Sequence, residues 1–530
     1  MLLDARQLPE NETLDADLCI VGGGVAGITL ALELIGSPLR VILLESGGMH
    51  YDERTQSLAD GPVLGFQYDA LANSRLRMLG GSSNHWAGHC IPLTPIDFEA
   101  RPGIPHSGWP ITFDDLSPYY DRAQPYFELQ TERPYDFDFW AERIGINPLP
   151  FDPDIFTSIP MNESPPTLFG HTYADRLSRA ENVTSYLNAN VLQLEANETA
   201  SQVNSAQVAC IDGPRFTVRA KRFALCMGGI EIPRLLLLSN GVAAAGLGNS
   251  HGLVGRFFGD HAAVRPSMRF LAQRKLRDLD LYSRQHFFET GGVFPAIALS
   301  EATMRKEHLP GVLFHLIDSE VSPGEVSLWN LRDGMRKGEM PDYLARQVAN
   351  LFTDLDGVTN SFYRQISGDR EPLIDRPWYS PWLTFECTPN PESTVHLVEE
   401  RDLFGQLRIG LDWRLTELEM RAVKRGTELL IQELGRIGIG RAWTDVLRED
   451  YTWPDFVARG KHHCGTTRMS DDPRTGVVDA NGRVHGMSNL YISSSSVFPT
   501  MGYANPTLTI GAMSIRMADL FRAHAMSGEL

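Results

Sequence analysis

The sequence predicts a two-domain α/β protein. A Rossmann-like nucleotide-binding domain starts near the N terminus, and a second domain is built on a large antiparallel sheet. Three observations predict it. Near the N terminus an apolar strand runs into Gly22-Gly23-Gly24-Val25-Ala26-Gly27 and then into an apolar helix. From about 262 to 400, apolar and aromatic segments alternate with polar turns, as antiparallel strands do. The 530 residues also exceed the usual size of one compact domain.

In chain order, residues 18–21 read as a strand, 28–35 as a helix and 41–44 as a second strand ending at Glu45. Gly22, Gly24 and Gly27 satisfy G-x-G-x-x-G between strand and helix. The first glycine permits the tight turn, the second lets backbone approach a pyrophosphate, and the third lets helix and strand pack closely. Glu45 then stands where a carboxylate can hold ribose hydroxyls. This cradle suits FAD and NAD alike.

A stretch rich in glycine, serine and aromatics follows at 79–92, and 101–170 is dense in Pro, Asp and aromatics, which suits ordered loops and short helices. Residues 183–194 read as one strand, 202–210 and 215–220 as antiparallel strands, and 223–227 as a strand turning at Gly228-Gly229 into a helix over 231–238. The segment 321–365 is more helical and is expected to be an insertion. Residues 416–435 form an amphipathic helix with Leu418, Met420, Val423, Leu429 and Leu430 as apolar positions.

A net charge of −18 repels nucleic acid and anionic membrane, so neither is expected as a partner. The six cysteines show no CxxC spacing, so no metal site or disulfide framework is expected. Residues 1–17 are acidic and lack a basic-then-apolar leader, and the apolar stretch 18–35 is broken by glycines and holds Glu33. The expectation is a cytoplasmic protein, with periplasmic export through a signal-bearing partner as the alternative.

Three further blocks carry a family resemblance. They are Gly80-Gly81-Ser82-Ser83-Asn84-His85-Trp86, Ala224-Leu225-Cys226-Met227-Gly228-Gly229-Ile230-Glu231-Ile232-Pro233, and a nearly continuous C-terminal stretch from Asp455. The last includes His462-His463-Cys464-Gly465-Thr466-Thr467-Arg468-Met469 and Gly502-Tyr503-Ala504-Asn505-Pro506-Thr507. Together they resemble the glucose-methanol-choline (GMC) oxidoreductases, nearest to the pyranose 2-oxidase, fructose dehydrogenase and bacterial glycoside 3-dehydrogenase types.

The resemblance implies FAD, held by a discontinuous domain of 1–100, 171–261 and 455–530. Residues 101–170 and 262–454 would then form the substrate domain and cover segments. It implies cofactor contacts at Gly22, Gly24, Val25, Ala26, Gly27, Glu45, Ser46, Gly80, Gly81, Ser82, Asn84, His85, Trp86, Val191, Gly228, Pro506 and Thr507. In some sugar-oxidising relatives the histidine before this tryptophan bonds covalently to the flavin. Here noncovalent FAD is favoured, with a covalent link through His85 as the alternative.

The implied activity is oxidation of a secondary alcohol of a sugar or glycoside to a ketone. FAD takes a hydride from carbon, and the protein must take a proton from oxygen. Imidazole is suited to that near neutral pH. The H-x-x-G pattern of the sugar-oxidising relatives picks His462 over His463, which is expected to be an outlying donor or to face away. Asn505 is expected to bond the substrate oxygen, to cap the helix 507–521 with Pro506 at its first position, or both. That helix would aim its positive end at the flavin. Glu386, Asn390 and His89 are candidate partners for sugar hydroxyls by position alone.

The electron acceptor is O2, a quinone or a cytochrome. No CxxCH occurs, so a cytochrome would be a separate chain. A small partner subunit and a homo-oligomer are the assemblies consistent with the family. The rival readings are a GMC enzyme acting on a hydrophobic alcohol or sterol, and a flavin-binding subunit without catalysis.

Overall fold

The apolar run before the glycines forms the strand Glu12–Val21, in the middle of an eight-stranded sheet. Its neighbours Val41–Leu44 and Arg215–Leu225 run parallel to it, and Val183–Leu187 and Leu2–Asp4 extend the parallel side outward. Cys19, Ile20, Leu43, Ala224 and Leu225 are fully buried, as central strands of a parallel sheet covered on both faces must be. The far side of Arg215–Leu225 is shared. Its first half pairs antiparallel with Val203–Ala209, which carries Asn190–Ala196, and its last residues pair parallel with Leu490–Ile492. A late segment of the chain thus enters the sheet with Arg215–Leu225 between it and Glu12–Val21. The computed structural model describes the chain except for residues 130–134, 166, 265–267, 273–276, 290, 320–321, 338–343, 368–377, 455–456 and 529–530.

The expected single strand over 183–194 is two strands in different parts of this sheet. Asn188 takes a positive φ of 60°, which asparagine tolerates better than most residues, and the chain turns there. Conversely, the separate strands expected over 215–220 and 223–227 are one continuous strand. The helix expected over 28–35 begins earlier and runs Val25–Glu33, because Gly24 supplies the turn at its start. The helix expected over 507–521 runs on to Ser527, where Gly528 in the left-handed region ends it. It packs on Val25–Glu33 and on Phe113–Ala123, where Tyr120 Oη and Thr509 Oγ1 lie 3.0 Å apart.

Among the described residues the second sheet has ten strands and is antiparallel. Gly291–Leu299, Val312–Ser319 and Trp378–Phe385 form its middle. The expected span of 262–400 supplies most of it, but His89–Cys90, Phe156–Glu163, Gly440–Thr444 and Val457–Arg459 also join. Val312–Ser319 and Trp378–Phe385 pair directly, so the helices Pro323–Lys337, Leu344–Thr353 and Leu355–Ser367 between them are an excursion from the sheet. The helix expected over 416–435 is Glu417–Arg436, started by a reciprocal capping box between Thr416 and Glu419.

One junction places the chemistry. Gly259 and Cys464 exchange backbone hydrogen bonds at 3.1 and 2.9 Å, and Gly460 N–H donates to the His261 carbonyl at 2.7 Å. Residues 259–261 and 460–464 therefore lie antiparallel across from each other, beside the sheet strands Ala262–Val264 and Val457–Arg459.

Candidate active site

The strand ends of the first sheet and one wall of the second enclose a cavity of about 700 Å³. Gly22, Gly24, Val25, Ala26, Glu45, Ser46, Gly81, Ser82, His85, Trp86, His89, Val191, Gly228, His462, Asn505, Pro506 and Thr507 all line it. Gly27, Gly80 and Asn84 stand behind the wall and shape it. A Cβ on Gly27 would sit 1.9 Å from the Gly22 carbonyl oxygen, so only glycine lets helix and turn approach this closely. Gly80 N–H donates to the Gly23 carbonyl at 2.7 Å, tying the covering loop to the glycine turn. Asn84 Nδ2 donates to the carbonyls of Leu79 and Gly81 and closes that loop on itself.

These residues fit FAD. Gly22 has φ of +105°, and Gly24 and Gly228 face open space that a Cβ would occupy. Gly24 is the N-cap of Val25–Glu33 without a side-chain capping bond, so the first-turn N–H groups are free for a pyrophosphate. Glu45 is buried, and its carboxylate accepts from Gly23 N–H and Gly47 N–H, both at 2.8 Å, while lining the cavity. Burial pushes its pKa upward.

His462 and Asn505 line the same cavity. Lys461 has a positive φ of 60°, which turns the chain so that His462 lines the cavity, and a Cβ on Gly460 would fall 2.5 Å from His462 Nδ1. Asp260, fully buried, accepts from His462 N–H at 2.6 Å, Lys461 N–H at 3.1 Å and Tyr68 O–H at 2.5 Å. His462 Nδ1 lies 2.8 Å from His261 Nδ1, and His261 Nε2 lies 2.7 Å from the Gly502 carbonyl oxygen. Asn505 occupies the N-cap position of Pro506–Ser527, but its side chain makes no capping bond. Its Nδ2 lies 3.3 Å from His462 Nε2 instead. Of the two expected roles, the capping bond is absent.

Burial holds the histidines here neutral. It pushes His462 well below the usual range, helped by His261, His463 and His89, and takes His261 down to about 4 and His463 down to about 3. His463 lines the cavity, but its Nε2 is 3.0 Å from Tyr68 Oη. The tyrosine's own proton goes to Asp260, so His463 donates there.

Two expected substrate contacts are corrected. Glu386 is fully buried and does not line the cavity: it takes a two-pronged bond from Arg101 at 2.9 and 2.5 Å and accepts from Gly311 N–H and Gly502 N–H. A buried carboxylate so paired has no oxygen to spare for a sugar. Asn390 also lies outside the cavity, where its Nδ2 donates to the Arg414 carbonyl. His89 does line it, with Nδ1 3.3 Å from Glu163 Oε1. His261, Asp260, Tyr68 and Arg101 escaped the sequence reading, since no spacing in the chain marks the pairing of 259–261 with 460–464. Among the described residues no cluster of side chains could hold a metal ion.

Residues 389–514 match the family described as GMC oxidoreductase. The fructose dehydrogenase large subunit of Gluconobacter japonicus is 24% identical, over 96% of this chain and 98% of its own. The 2-methyl-1,2-propanediol dehydrogenase of Mycolicibacterium austroafricanum is 23% identical, over 95% and 94%. Among solved structures, the FAD-carrying formate oxidase of Aspergillus oryzae superposes with a TM-score of 0.54 at 18% identity, covering 98% of this chain and 100% of its own. By residues 389–514 and by its nearly full-length similarity to these dehydrogenases, the chain resembles the GMC oxidoreductases, and it is an enzyme acting on CH–OH groups.

The cradle makes one prediction. Glu45→Gln should weaken FAD retention about ten- to a hundredfold, the worth of a charge-assisted hydrogen bond. Turnover of flavin-saturated enzyme should change far less, because Glu45 is bonded to the glycine turn and to Gly47 and not to the His462–Asn505 pair. Titrating apoprotein with FAD and then assaying at saturation separates the two; an equal loss of chemistry at saturation refutes the assignment.

Proposed function

We propose that this chain oxidises a secondary alcohol of a sugar or glycoside to a ketone, with noncovalent FAD as hydride acceptor and His462 as base. The observation that carries this reading is the placement of His462 Nε2 and Asn505 Nδ2, 3.3 Å apart, in the same cavity as the glycine cradle. A substrate hydroxyl set between them donates its proton to Nε2 while its oxygen accepts from the amide. Bound FAD supplies the hydride acceptor. The start of Pro506–Ser527 reaches the same space at Pro506 and Thr507, and the positive end of the helix favours negative charge there.

The cavity wall supplied by the second sheet supports a sugar that carries apolar surface. Phe294, Leu313, Ile317 and Trp382 line it, together with the polar His315 and Thr384. Aromatic faces stack on the C–H face of a pyranose or on an aglycone. The relatives named for fructose and for 2-methyl-1,2-propanediol act on compounds with more than one hydroxyl, and the first supports a polyhydroxylated substrate. The same apolar wall favours a second reading, oxidation of a hydrophobic alcohol. Anaerobic bleaching of the flavin by free sugars, O-glycosides, C-glycosides and sterols tests both. Bleaching by sterols alone overturns the first reading.

His462→Ala should leave FAD bound and slow flavin reduction by about 10²–10⁴-fold, the worth of a positioned general base. His463→Ala, whose ring nitrogen is committed to Tyr68, should do much less; the reverse order refutes the assignment. Because burial holds His462 neutral, the rate of flavin reduction should stay flat down through pH 6.5 and fall only at more acid pH. An acid limb centred at or above 6.5 contradicts this environment. Precipitation with acid should leave a yellow supernatant, and a yellow pellet would mean a covalent bond through His85.

A further inference from the structure

We propose that His261 is the positioning residue that makes His462 a base: it holds the His462 ring in the tautomer protonated on Nδ1, so that the lone pair on Nε2 faces the substrate hydroxyl. The inference rests on the reading of His462 as the base and extends it to a residue outside the family's C-terminal block.

The argument is a count of protons. A backbone carbonyl only accepts, so the 2.7 Å contact between His261 Nε2 and the Gly502 oxygen requires the proton on Nε2. His261 is buried and neutral, so this is its one ring proton and its Nδ1 is bare. The 2.8 Å contact between the two Nδ1 atoms needs one proton, which His462 must supply. His462 is likewise neutral, so its Nε2 is bare. An independent contact agrees: the atom facing that nitrogen at 3.3 Å is the donor Nδ2 of Asn505.

The arrangement is needed because an imidazole left to itself prefers its proton on Nε2. Which nitrogen is protonated is set by the bond the other one makes. Without an acceptor at Nδ1, His462 would present N–H to a substrate hydroxyl and could not take its proton. In the reaction the substrate O–H bond breaks and an Nε2–H bond forms, as the hydride leaves the carbon. His462 then carries both ring protons and a positive charge, while its Nδ1–H still donates to His261, which keeps its own proton on Gly502.

The groups facing this pair are His463 and His89, both imidazoles, Asn505, the Asp260 carboxylate on the His462 backbone, and Glu386 behind His261. Gly502 is fixed from its other side, since its N–H donates to Glu386, which Arg101 holds. Any Cβ at 502 would fall 2.6 Å from the Asp97 carboxylate, so the position accepts only glycine.

The test reads tautomers directly. Enzyme labelled with ¹⁵N-histidine is examined by two-bond ¹H–¹⁵N correlation, with the His462 signals identified by their loss in His462→Gln. The expected wild-type result is a protonated Nδ1 and a bare Nε2. His261→Leu, which removes the acceptor and keeps apolar volume, should return His462 to the Nε2–H tautomer. It should slow anaerobic flavin reduction about 10²-fold, within the worth of a general base. His261→Asn puts an amide oxygen near the Nδ1 position and should restore the tautomer and most of the rate.

A wild-type His462 protonated on Nε2 overturns the proposal whatever the variants do. So does an Asn variant as slow as the Leu variant, or a Leu variant with wild-type tautomer and rate. If no alcohol bleaches the flavin, the oxidation proposed above fails, while the spectrum of the resting enzyme still decides this proposal.

Discussion

The Arg101–Glu386 ion pair lies under the whole active site. Glu386 is fully buried, and a carboxylate taken out of water at that depth is tolerated only when it is paired and its remaining lone pairs are bonded. Arg101 pairs with it, and the N–H groups of Gly311 and Gly502 complete it. The pair therefore joins the loop around residue 101, the second sheet and the segment that starts the last helix. Burial pushes nearby Asp97 up to about 6, with Glu386 adding to the shift and Arg101 opposing it. Removing one partner would leave an uncompensated buried charge, at a cost of about 3–5 kcal/mol. Gly502 would then lose the bond that fixes its peptide, and His261 the firmness of its carbonyl acceptor.

The two sheets divide the labour. The first presents the carboxyl ends of Glu12–Val21, Val41–Leu44 and Arg215–Leu225 to the cavity through Val21, Glu45 and Cys226, the usual place for a ligand on an open parallel sheet. The second supplies a wall whose alternate residues face inward, Leu313, His315 and Ile317 on one strand and Trp382 and Thr384 on the next. The proton-handling residues belong to neither interior. They stand where 259–261 meets 460–464, pinned by Asp260 to backbone rather than by packing alone. A site assembled at such a seam can keep its chemistry while the wall opposite changes.

What was legible in the chain follows from this arrangement. The glycine turn, Glu45, the covering loop and the two C-terminal residues are local signals: each depends on neighbours a few positions away, and all line the cavity. The strand break at Asn188 was not legible, because the apolar pattern continues across it and only a positive φ marks it. Glu386 was misread for a physical reason. Its expected place at the sugar rests on position alone, and only its partner 285 positions away shows it to be buried and paired. His261 carries no local signal at all, since its role depends on a carbonyl at 502 and a ring at 462.

The acceptor at Nδ1 of the base is an imidazole where many catalytic histidines have a carboxylate. The difference has a consequence. A carboxylate there would orient the ring but also attract a proton to it, raising its affinity before any substrate arrives. A neutral imidazole orients the ring through the same hydrogen bond and adds no charge, so burial keeps His462 unprotonated in the resting enzyme. The positive charge then appears only when the substrate proton transfers, at the moment the hydride carries negative charge to the acceptor. In a buried cavity of low dielectric the two opposite charges stabilise each other far more than they would in water. A resting charge on either group would weaken that coupling. The two acids packed behind this pair are spent on other groups: Asp260 spends its oxygens on Tyr68 and two backbone N–H groups, and Glu386 its own on Arg101 and two more. Both acids orient the base's surroundings without facing the substrate.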